Sequence, residues 1–366
     1  MERINQIEPS LGIEEKKELV SVIDSGWYTE GKKTRDFENM FSKFVGSKYA
    51  IAVTSGTSAL YVGLKALGIS LYDEVIVPDL TFVASPNSVE MVGGKINLID
   101  IEKKSLNIDI SKIKSMVTKK TKAIMPVDFN GRSANLDELK EIAEEENLLL
   151  IEDACHAIGS FYKNKHMGTI SDIGVFSFST PKIITTGQGG MIVTDKKELY
   201  EKCLSIKDFG RDVSNKKDMR KAFEHTSIGY NFKFTEFQAA VGIAQMGKLT
   251  NRIKHKKKIF KLYRELLSKN IDFVDTNLQK ITPWMMDILL RSEKEKNNLI
   301  DFLKKENIET RIFYPSIHDL DPYKKIKKKF QNSSDISKRG LWLPSSVLLK
   351  ENQVVNICEK INNFFN

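Results

Sequence analysis

The chain has 366 residues, of which 41% are hydrophobic and 29% charged, and its formal net charge is +9. These proportions are ordinary for a globular protein, and the length exceeds what one hydrophobic core usually supports. No apolar run approaches the roughly 18 residues that a membrane span needs, and the N-terminal segment lacks the pattern of a secretory signal. We therefore expect a cytoplasmic protein with a large and a smaller domain, and no membrane partner.

The three cysteines, Cys155, Cys203 and Cys358, and the five histidines are scattered along the chain. None has the spacing of a metal site, so we predict free thiols and no metal. Lysine-rich runs at 252–258 and 324–329 could attract nucleic acid. Apolar residues interrupt them at helical spacing, so we interpret both runs as solvated helix faces and expect no nucleic-acid partner.

Seven short apolar segments alternate with helical patterns between residues 48 and 195. They are YAIAV at 49, EVIVP at 74, KINLID at 95, KAIMPV at 122, LLLIED at 148, IGVFSF at 173 and GMIVTD at 190. This alternation predicts an α/β fold with a mostly parallel seven-stranded sheet covered on both faces. Asn135, with Glu138 three positions on, has the pattern of a helix N-cap.

The second half of the chain has a different pattern. A long helical region runs from about Thr235 to Lys269, followed by TPWMMDILL, a helix near 293–306, ETRIFYP and a terminal helix from 351. This mixture predicts a smaller α+β domain. We place the boundary inside the long helix, with a large domain at 1–250, including the N-terminal segment, and a small domain at 251–366.

Small and polar residues follow the predicted strands, at the edge where open parallel sheets bind ligands. After YAIAV comes TSGTSAL, which contains Gly56, Thr57 and Ser58 at the start of a helix. Backbone N–H groups and hydroxyls there could hold a phosphate, or the segment could be a capped turn without a ligand. Phe82, after EVIVP, could stack on a flat ring or pack in the core.

Three further residues carry possible chemistry. Asp153 follows LLLI and could pair with a ring nitrogen or a metal, or cap a helix, and His156 could be catalytic or structural. Lys182 follows IGVFSF, with Ser177 five residues before it. A lysine in a dry site can attack a carbonyl carbon, but it could also contact a phosphate or lie at the surface.

Taken together, these groups are what pyridoxal 5'-phosphate needs from a protein: a phosphate cradle, a carboxylate, an imidazole and a nucleophilic lysine. In this interpretation Lys182 bonds to the cofactor aldehyde, and Asp153 keeps the pyridine nitrogen protonated. The amine of Lys182, once displaced by an amino donor, would move a proton between two carbons. The predicted reaction is transamination.

Longer motifs run along almost the whole chain. They are EGKKTRDFENMFSKFVGSKYAIAVTSGTSAL, DEVIVPDLTFVASPN, DIEKKSLNID, IEDACHAIGS, FSFSTPKIITTGQGGM, KDFGRD, IGYNFKFTEFQAAVG, TRIFYP and RGLWLPS. With them the chain resembles the DegT/DnrJ/EryC1/StrS family of sugar aminotransferases, which share the aspartate-aminotransferase fold (PLP fold type I). Members act on nucleotide-linked keto-sugars.

The resemblance implies roles for particular residues. Lys182 would be the Schiff-base lysine and Asp153 the partner of the pyridinium nitrogen. The other cofactor-binding residues would be Gly56, Thr57, Ser58 and Ser177 at the phosphate, Phe82 stacked on the ring, and His156 beside the ring. The resemblance also implies a homodimer in which Asn231 and Lys233 reach the phosphate of the neighbouring subunit.

Two departures from the family pattern affect the expected activity. Ser179 stands where many members have histidine, so no role transfers to that position. Relatives that dehydrate sugars replace the lysine by histidine, whereas this chain keeps Lys182, which favours amino transfer. FSFSTPKIITTGQGG and TPWMMDILL resemble the perosamine-synthase-like branch, which aminates C4 of a 4-keto-6-deoxy sugar nucleotide with glutamate as donor.

We therefore expect a nucleotide-sugar aminotransferase of surface polysaccharide synthesis. The alternatives are a PLP-dependent dehydratase or lyase, a non-catalytic PLP-binding regulator, and a nucleic-acid-binding protein that uses the lysine runs. Arg211, Arg311 and Lys32 could bind a diphosphate or the donor carboxylate, or could be solvated surface charges. The sequence leaves the identity of the sugar and nucleotide open, because pocket shape decides them.

Overall fold

A computed structural model describes residues 3–212, 223–267 and 271–366 of the chain. The helices are α1 (Ile13–Ser25), α2 (Lys32–Val45), α3 (Gly56–Ala66), α4 (Ala84–Met91), α5 (Ile113–Met116), α6 (Leu136–Glu145), α7 (Lys197–Lys207), α8 (Glu236–Leu266), α9 (Glu293–Lys305), α10 (Gln331–Arg339) and α11 (Glu351–Phe365). The strands are β1 (Tyr49–Val53), β2 (Glu74–Pro78), β3 (Lys95–Ile99), β4 (Thr121–Ile124), β5 (Leu149–Asp153), β6 (Phe161–Tyr162), β7 (Lys165–His166), β8 (Ile173–Ser177), β9 (Gly190–Thr194), β10 (Met286–Leu289), β11 (Arg311–Ile312) and β12 (Gly340–Leu343).

A seven-stranded sheet forms the centre of the larger part, in the order β1-β9-β8-β5-β4-β2-β3. The pairs from β3 to β8 are parallel, and β9 runs antiparallel to both β1 and β8. The seven predicted strands and the mostly parallel α/β sheet are therefore confirmed. Most strand residues are buried, as expected for a sheet covered on both faces.

Helices cover the two faces of this sheet with different side chains. Aliphatic residues of α3, such as Leu60 and Leu64, pack on one face together with Ile151 of β5. Aromatic residues of α2, Phe37 and Phe41, form the other layer with residues of and beside β8. Because both faces are covered, the ends of the strands are where ligands can enter.

A three-stranded antiparallel sheet, in the order β10-β12-β11, lies in the C-terminal part. Helices α9 and α11 and the second half of α8 share an apolar cluster with its strands. The predicted domain boundary at residue 250 falls inside α8 and stays a prediction. Within the described residues, no helix is both long and apolar enough to cross a bilayer.

The long helix α8 begins where the sequence predicted. Thr235 is its N-cap and accepts a hydrogen bond from the backbone N–H of Gln238, while Gln238 reaches back to the N-cap. The helix ends at Leu266, three residues before the predicted end at Lys269, which lies outside the described residues.

The interpretation of both lysine runs as solvated helix faces is wrong in part: the run at 324–329 lies outside any helix, and the run at 252–258 is not a wholly solvated face. Arg252 and Lys256, one helical turn apart, are both buried. Arg252 donates to the backbone carbonyls of Ile183 and Ser10, at 3.0 and 2.8 Å, and Lys256 donates to the carbonyl of Ser345. Helix α8 packs against protein along this side, so these cations bind carbonyl oxygens.

Glu236, in the first turn of α8, fixes the start of α2. Its buried carboxylate accepts hydrogen bonds from the backbone N–H groups of Gly31, Lys33 and Thr34 at 2.8–2.9 Å, and from the Thr34 hydroxyl at 2.9 Å. The first N–H groups of a helix have no partner within the helix, and their positive end attracts a carboxylate. Glu236 thus ties the N-terminal segment to α8.

We expect Glu236→Ala to lower the free energy of unfolding by about 3 kcal/mol, because it leaves buried donors without an acceptor. Urea unfolding monitored by circular dichroism measures the change. Glu265→Ala, which removes an exposed carboxylate 3.6 Å from Lys261 on the same helix, is the control and should change stability by less than about 0.5 kcal/mol. Equal effects of the two substitutions would contradict the role given to Glu236.

Candidate active site

A cavity of about 310 Å³ opens at the carboxyl ends of β1, β2, β5 and β8. Most of the predicted site residues lie around it, although they are far apart in the sequence. The residues from that prediction that line the cavity are Gly56, Thr57, Phe82, Asp153, His156, Ser177 and Lys182. Trp284, Arg311 and Tyr314, from the C-terminal part of the chain, complete its wall.

The turn between β1 and α3 forms a compact cradle at one side of the cavity. Ser55 is the N-cap of α3, and its hydroxyl accepts the N–H of Ser58 at 3.0 Å. Gly56 lies so close to the end of β8 that a Cβ atom there would be 3.0 Å from the Cβ of Ser177. The absence of a side chain lets the helix start and the Ser177 hydroxyl face the same space, which suits a phosphate.

Ser58 does not line the cavity, contrary to what the resemblance implied. Its hydroxyl donates to the carbonyl of Ser55 at 2.8 Å and lies 3.1 Å from the Thr54 hydroxyl. Its place inside the turn makes Ser58 a residue that shapes the cradle. The predicted direct contact of Ser58 with a phosphate has no support from this geometry.

Asp153, the last residue of β5, presents a carboxylate to the cavity from a buried position. The Ser85 hydroxyl, in α4, donates to one carboxylate oxygen at 2.7 Å, and the backbone N–H of Cys155 donates to the other at 3.2 Å. Both hydrogen bonds fix the orientation of the carboxylate. Asp153 can therefore pair with a protonated ring nitrogen.

A second pair of acids, Asp128 and Glu152, lies behind Asp153. Both side chains are fully buried, and the charge of Glu152 acts on Asp128. Neither oxygen of Asp128 has a donor when both acids are charged, so the pair needs a shared proton. Burial and the neighbouring Glu152 raise the pKa of Asp128 well above its usual range, and burial raises that of Glu152.

Lys182 lies in the segment between β8 and β9, which is fixed at several points. The carbonyl of Pro181 accepts from the indole N–H of Trp284 at 2.8 Å, and the carbonyl of Ile183 accepts from Arg252 at 3.0 Å. The Lys182 side chain extends into the cavity, where burial lowers its pKa to about 8. At pH 7 about a tenth of its amine is therefore uncharged and nucleophilic, far more than for an ordinary lysine.

His156 and Phe82 present rings to the same cavity. Burial, with the nearby charges of Lys182 and Arg132, lowers the pKa of His156 well below its usual range, so the imidazole is neutral. Its Nδ1 accepts the backbone N–H of Asn130 at 3.4 Å, which places the ring proton on Nε2. Phe82 is 50% exposed and therefore not a core residue.

The remaining candidates divide into residues that lie away from the cavity and residues that line it. Asn231 is exposed, and Lys233 pairs with Asp208 at 3.1 Å in its own chain. Arg311 and Ser179 line the cavity, whereas Arg211 and Lys32 do not. Lys32 is exposed and pairs with Asp36 at 2.5 Å, which makes it a surface charge in this chain.

Three residues of the site were not singled out from the sequence. Trp284 and Tyr314 lay inside quoted motifs, TPWMMDILL and TRIFYP, without a role. Ser85 was part of DLTFVASPN. Trp284 precedes β10 and Tyr314 follows β11, and the sequence does not tell which aromatic residues of such distant segments turn towards a ligand.

The donor set fits pyridoxal phosphate. A lysine with a lowered pKa, a buried and hydrogen-bonded carboxylate, aromatic rings and a helix start beside hydroxyls border one cavity. Gly56 leaves the space next to Ser177 that a bound phosphate requires. The residues that would hold the cofactor are thus Lys182, Asp153, Phe82, His156 and the cradle of α3.

Comparison with known proteins agrees with this site. The DegT/DnrJ/EryC1/StrS aminotransferase family model matches residues 9–362. The chain belongs to this family. It is 38% identical to a GDP-perosamine synthase of Escherichia coli O157:H7 over 368 aligned residues, covering 100% of this chain and 99% of that protein.

Two solved structures of the family have the same fold. Helicobacter pylori PseC, an aminotransferase of pseudoaminic acid biosynthesis, is 28% identical with a TM-score of 0.91, covering 100% of this chain and 99% of that one. E. coli GDP-4-keto-6-deoxy-D-mannose-3-dehydratase with bound hydrated PLP is 26% identical with a TM-score of 0.91, covering 99% and 100%. The predicted family, the enzyme class and the aspartate-aminotransferase-like fold are confirmed.

The acid pair behind Asp153 generates a prediction about pH. The pKa of Asp128 is higher in the folded chain than in the unfolded one, so its contribution to stability is complete below about pH 4 and is lost as pH rises through the folded-state pKa. Asp128→Asn replaces the shared proton by a permanent amide donor. We expect its urea midpoint to fall less than that of the wild type between pH 6 and pH 9.

Asp301→Asn, at an exposed position on α9, is the control and should leave the pH dependence of the midpoint unchanged. The same decline with pH in wild type and Asp128→Asn would show that the pair does not share a proton.

Proposed function

We propose that this chain is a pyridoxal-phosphate-dependent aminotransferase that transfers the amino group of glutamate to C4 of a nucleotide-linked 4-keto-6-deoxy sugar. The observation that carries the proposal is Lys182, a lysine with a pKa near 8 that shares one cavity with the hydrogen-bonded carboxylate of Asp153. The likeness to a GDP-perosamine synthase over the full chain supports GDP as the nucleotide. Three free thiols support a cytoplasmic location.

The chemistry divides between cofactor and chain. Bound pyridoxal phosphate supplies an aldehyde that exchanges amines and a ring that accepts electrons when a C–H bond breaks. Lys182 would hold the aldehyde before the donor arrives and, once displaced, would carry a proton from one carbon to the other. Because its pKa is lowered, it can accept that proton and release it at neutral pH.

The other residues orient the cofactor. Asp153, held by Ser85 and the N–H of Cys155, keeps a proton on the ring nitrogen. Phe82 and the neutral ring of His156 would lie against the ring, and the start of α3 with Ser177 would bind the phosphate. Arg311, at the cavity wall, is available for the donor carboxylate or the sugar diphosphate.

We further propose a homodimer with shared active sites. Phe209, Phe223 and Ile228, in the part of the chain that leads to Asn231 and Lys233, are 39%, 86% and 83% exposed. Large exposed apolar side chains favour a protein interface. Lys233 lies outside its own cavity, so contact with the partner's phosphate is consistent with its position.

The spectroscopic test uses the purified protein supplied with pyridoxal phosphate. Glutamate should bleach the visible absorbance and release one 2-oxoglutarate per site, and a keto-sugar nucleotide should then restore the absorbance. Lys182→Ala should lose the covalent attachment and at least about 10³-fold in rate, since it removes both the attachment and the proton carrier. Lys325→Ala, an exposed lysine, is the control.

Normal turnover by Lys182→Ala would contradict the proposal. Loss of water from the sugar nucleotide without stoichiometric 2-oxoglutarate would favour the dehydratase instead.

Shared sites can be tested with mixed dimers. Lys182→Ala and Lys233→Ala damage different positions, so each variant alone should have little activity. After subunit exchange, half of the dimers are mixed and each contains one intact site, which should restore about a quarter of the wild-type activity. No gain after exchange, with mixed dimers verified by two affinity tags, would mean that Lys233 does not act across the interface.

A further inference from the structure

Trp284 contacts the lysine segment in two ways. Its indole N–H donates to the carbonyl of Pro181, the residue before Lys182, at 2.8 Å. Its ring centroid lies 3.9 Å from the Nζ atom of Lys182. The same ring packs against His156, with ring centroids 4.1 Å apart. One side chain therefore meets the backbone beside the lysine, its amine and the neighbouring imidazole.

The contact of Nζ with the indole face is physically significant because the indole is buried. A cation over the face of tryptophan is attracted by the electron-rich ring, and the attraction strengthens when water is excluded. Trp284 is only 3% exposed. Among the described residues Lys182 forms no ion pair, and the indole face lies 3.9 Å from its amine.

Other charged or titratable groups also face this amine. Asp153 is the last residue of β5, Cys155 comes two residues later, and Arg311 lies in β11. The neutral side chains of His156 and Tyr314 border the same cavity. Asp153 is already engaged by two donors, and Arg311 repels a second cation. The charges of Asp153 and Arg311 act on the pKa of Lys182 in opposite directions, so we expect the indole ring to have a measurable effect on it.

We propose that Trp284 is a positioning residue for Lys182: its ring face holds the free amine as an ammonium group, and its N–H fixes the backbone at Pro181. The inference rests on the function proposed above. A lysine that leaves the cofactor and returns in every cycle needs a defined resting place. The neutral indole ring provides such a place without an ion pair, so the proton on the Lys182 amine stays available for transfer.

The ring and the burial act on the amine in opposite directions. Burial lowers the pKa of Lys182 to about 8, and attraction to the ring favours the charged form. Removing the ring should therefore lower the pKa further. Trp284→Leu removes the ring and the N–H, whereas Trp284→Phe keeps a smaller ring face that attracts a cation less strongly and loses the N–H donor.

The test measures the amine in the full chain after removal of the cofactor. Trace acetic anhydride labels uncharged amines, and mass spectrometry of the peptide containing Lys182 gives its labelling midpoint between pH 6 and pH 10. We expect a midpoint lower by about 0.5–1 pH unit in Trp284→Leu and a smaller shift in Trp284→Phe. Phe129→Leu is the matched control, because Phe129 also packs near His156, at 6.0 Å between ring centroids, and should leave the midpoint unchanged.

A second measurement does not depend on a large change of volume. Incorporation of fluorinated tryptophan keeps the shape and the N–H while drawing electrons from the ring face, and it should lower the midpoint stepwise with fluorine content. The same labelling of Trp284→Phe should show no such steps. This pair keeps the test decisive even if Trp284→Leu fails to fold.

Folded variants whose Lys182 midpoint stays within about 0.2 units of the wild type, together with no fluorine effect, would overturn the inference. A failure of the proposed function would give a different experimental result. Borohydride reduction of wild-type protein loaded with pyridoxal phosphate would then attach the cofactor to a residue other than Lys182, or to none.

Discussion

The site depends on keeping one lysine amine dry and fixed at the edge of the sheet. The segment between β8 and β9 would be a flexible connection if it were solvated. Arg252 of α8 and Trp284, just before β10, donate hydrogen bonds to two of its backbone carbonyls. The backbone N–H of Thr185 also donates to the side chain of Gln245, at 3.2 Å. Residues of α8 and of the C-terminal part thus determine where a side chain of the large sheet points.

Charge is distributed in layers behind the cavity. Asp153 presents its carboxylate forward, while Asp128 and Glu152, which we expect to share a proton, lie fully buried behind it. If both of those acids were charged, the repulsion and the desolvation would be unfavourable in so dry a place. The shared proton leaves Asp153 as the carboxylate that faces the ligand space, and Glu152 is still able to accept the N–H of Gly168.

Much of the fold and the site could be predicted from the sequence because local signals and the chemistry of strand ends agreed. The seven strands were recognisable as apolar segments, and the edge of the sheet that their ends share predicted that Asp153 and Lys182 lie close together. Burial of individual cations was not predictable. Arg252 and Lys256 look like part of a solvated lysine-rich run, but α8 packs against protein on their side.

The roles of Ser58 and Trp284 were also not predictable, because they depend on contacts that form only in the folded chain. The hydroxyl of Ser58 could serve a phosphate or the turn itself, and the local capping geometry decided for the turn. Trp284 is more than a hundred residues from Lys182 in sequence, so only the docking of the two parts reveals their contact.

The reversed direction of β9 has a consequence for how this site can change. Gly190, the first residue of β9, pairs with Val53 at the end of β1 and with Ser177 at the end of β8. A Cβ atom at that position would lie 2.2 Å from the carbonyl oxygen of Ser55. The turn between β1 and α3 and the segment that carries Lys182 are therefore joined at a single glycine, and a residue inserted between 178 and 189 would disturb a segment that is anchored at both ends. New substrate preferences in such a scaffold should arise by exchange of side chains around the cavity more readily than by lengthening of this loop.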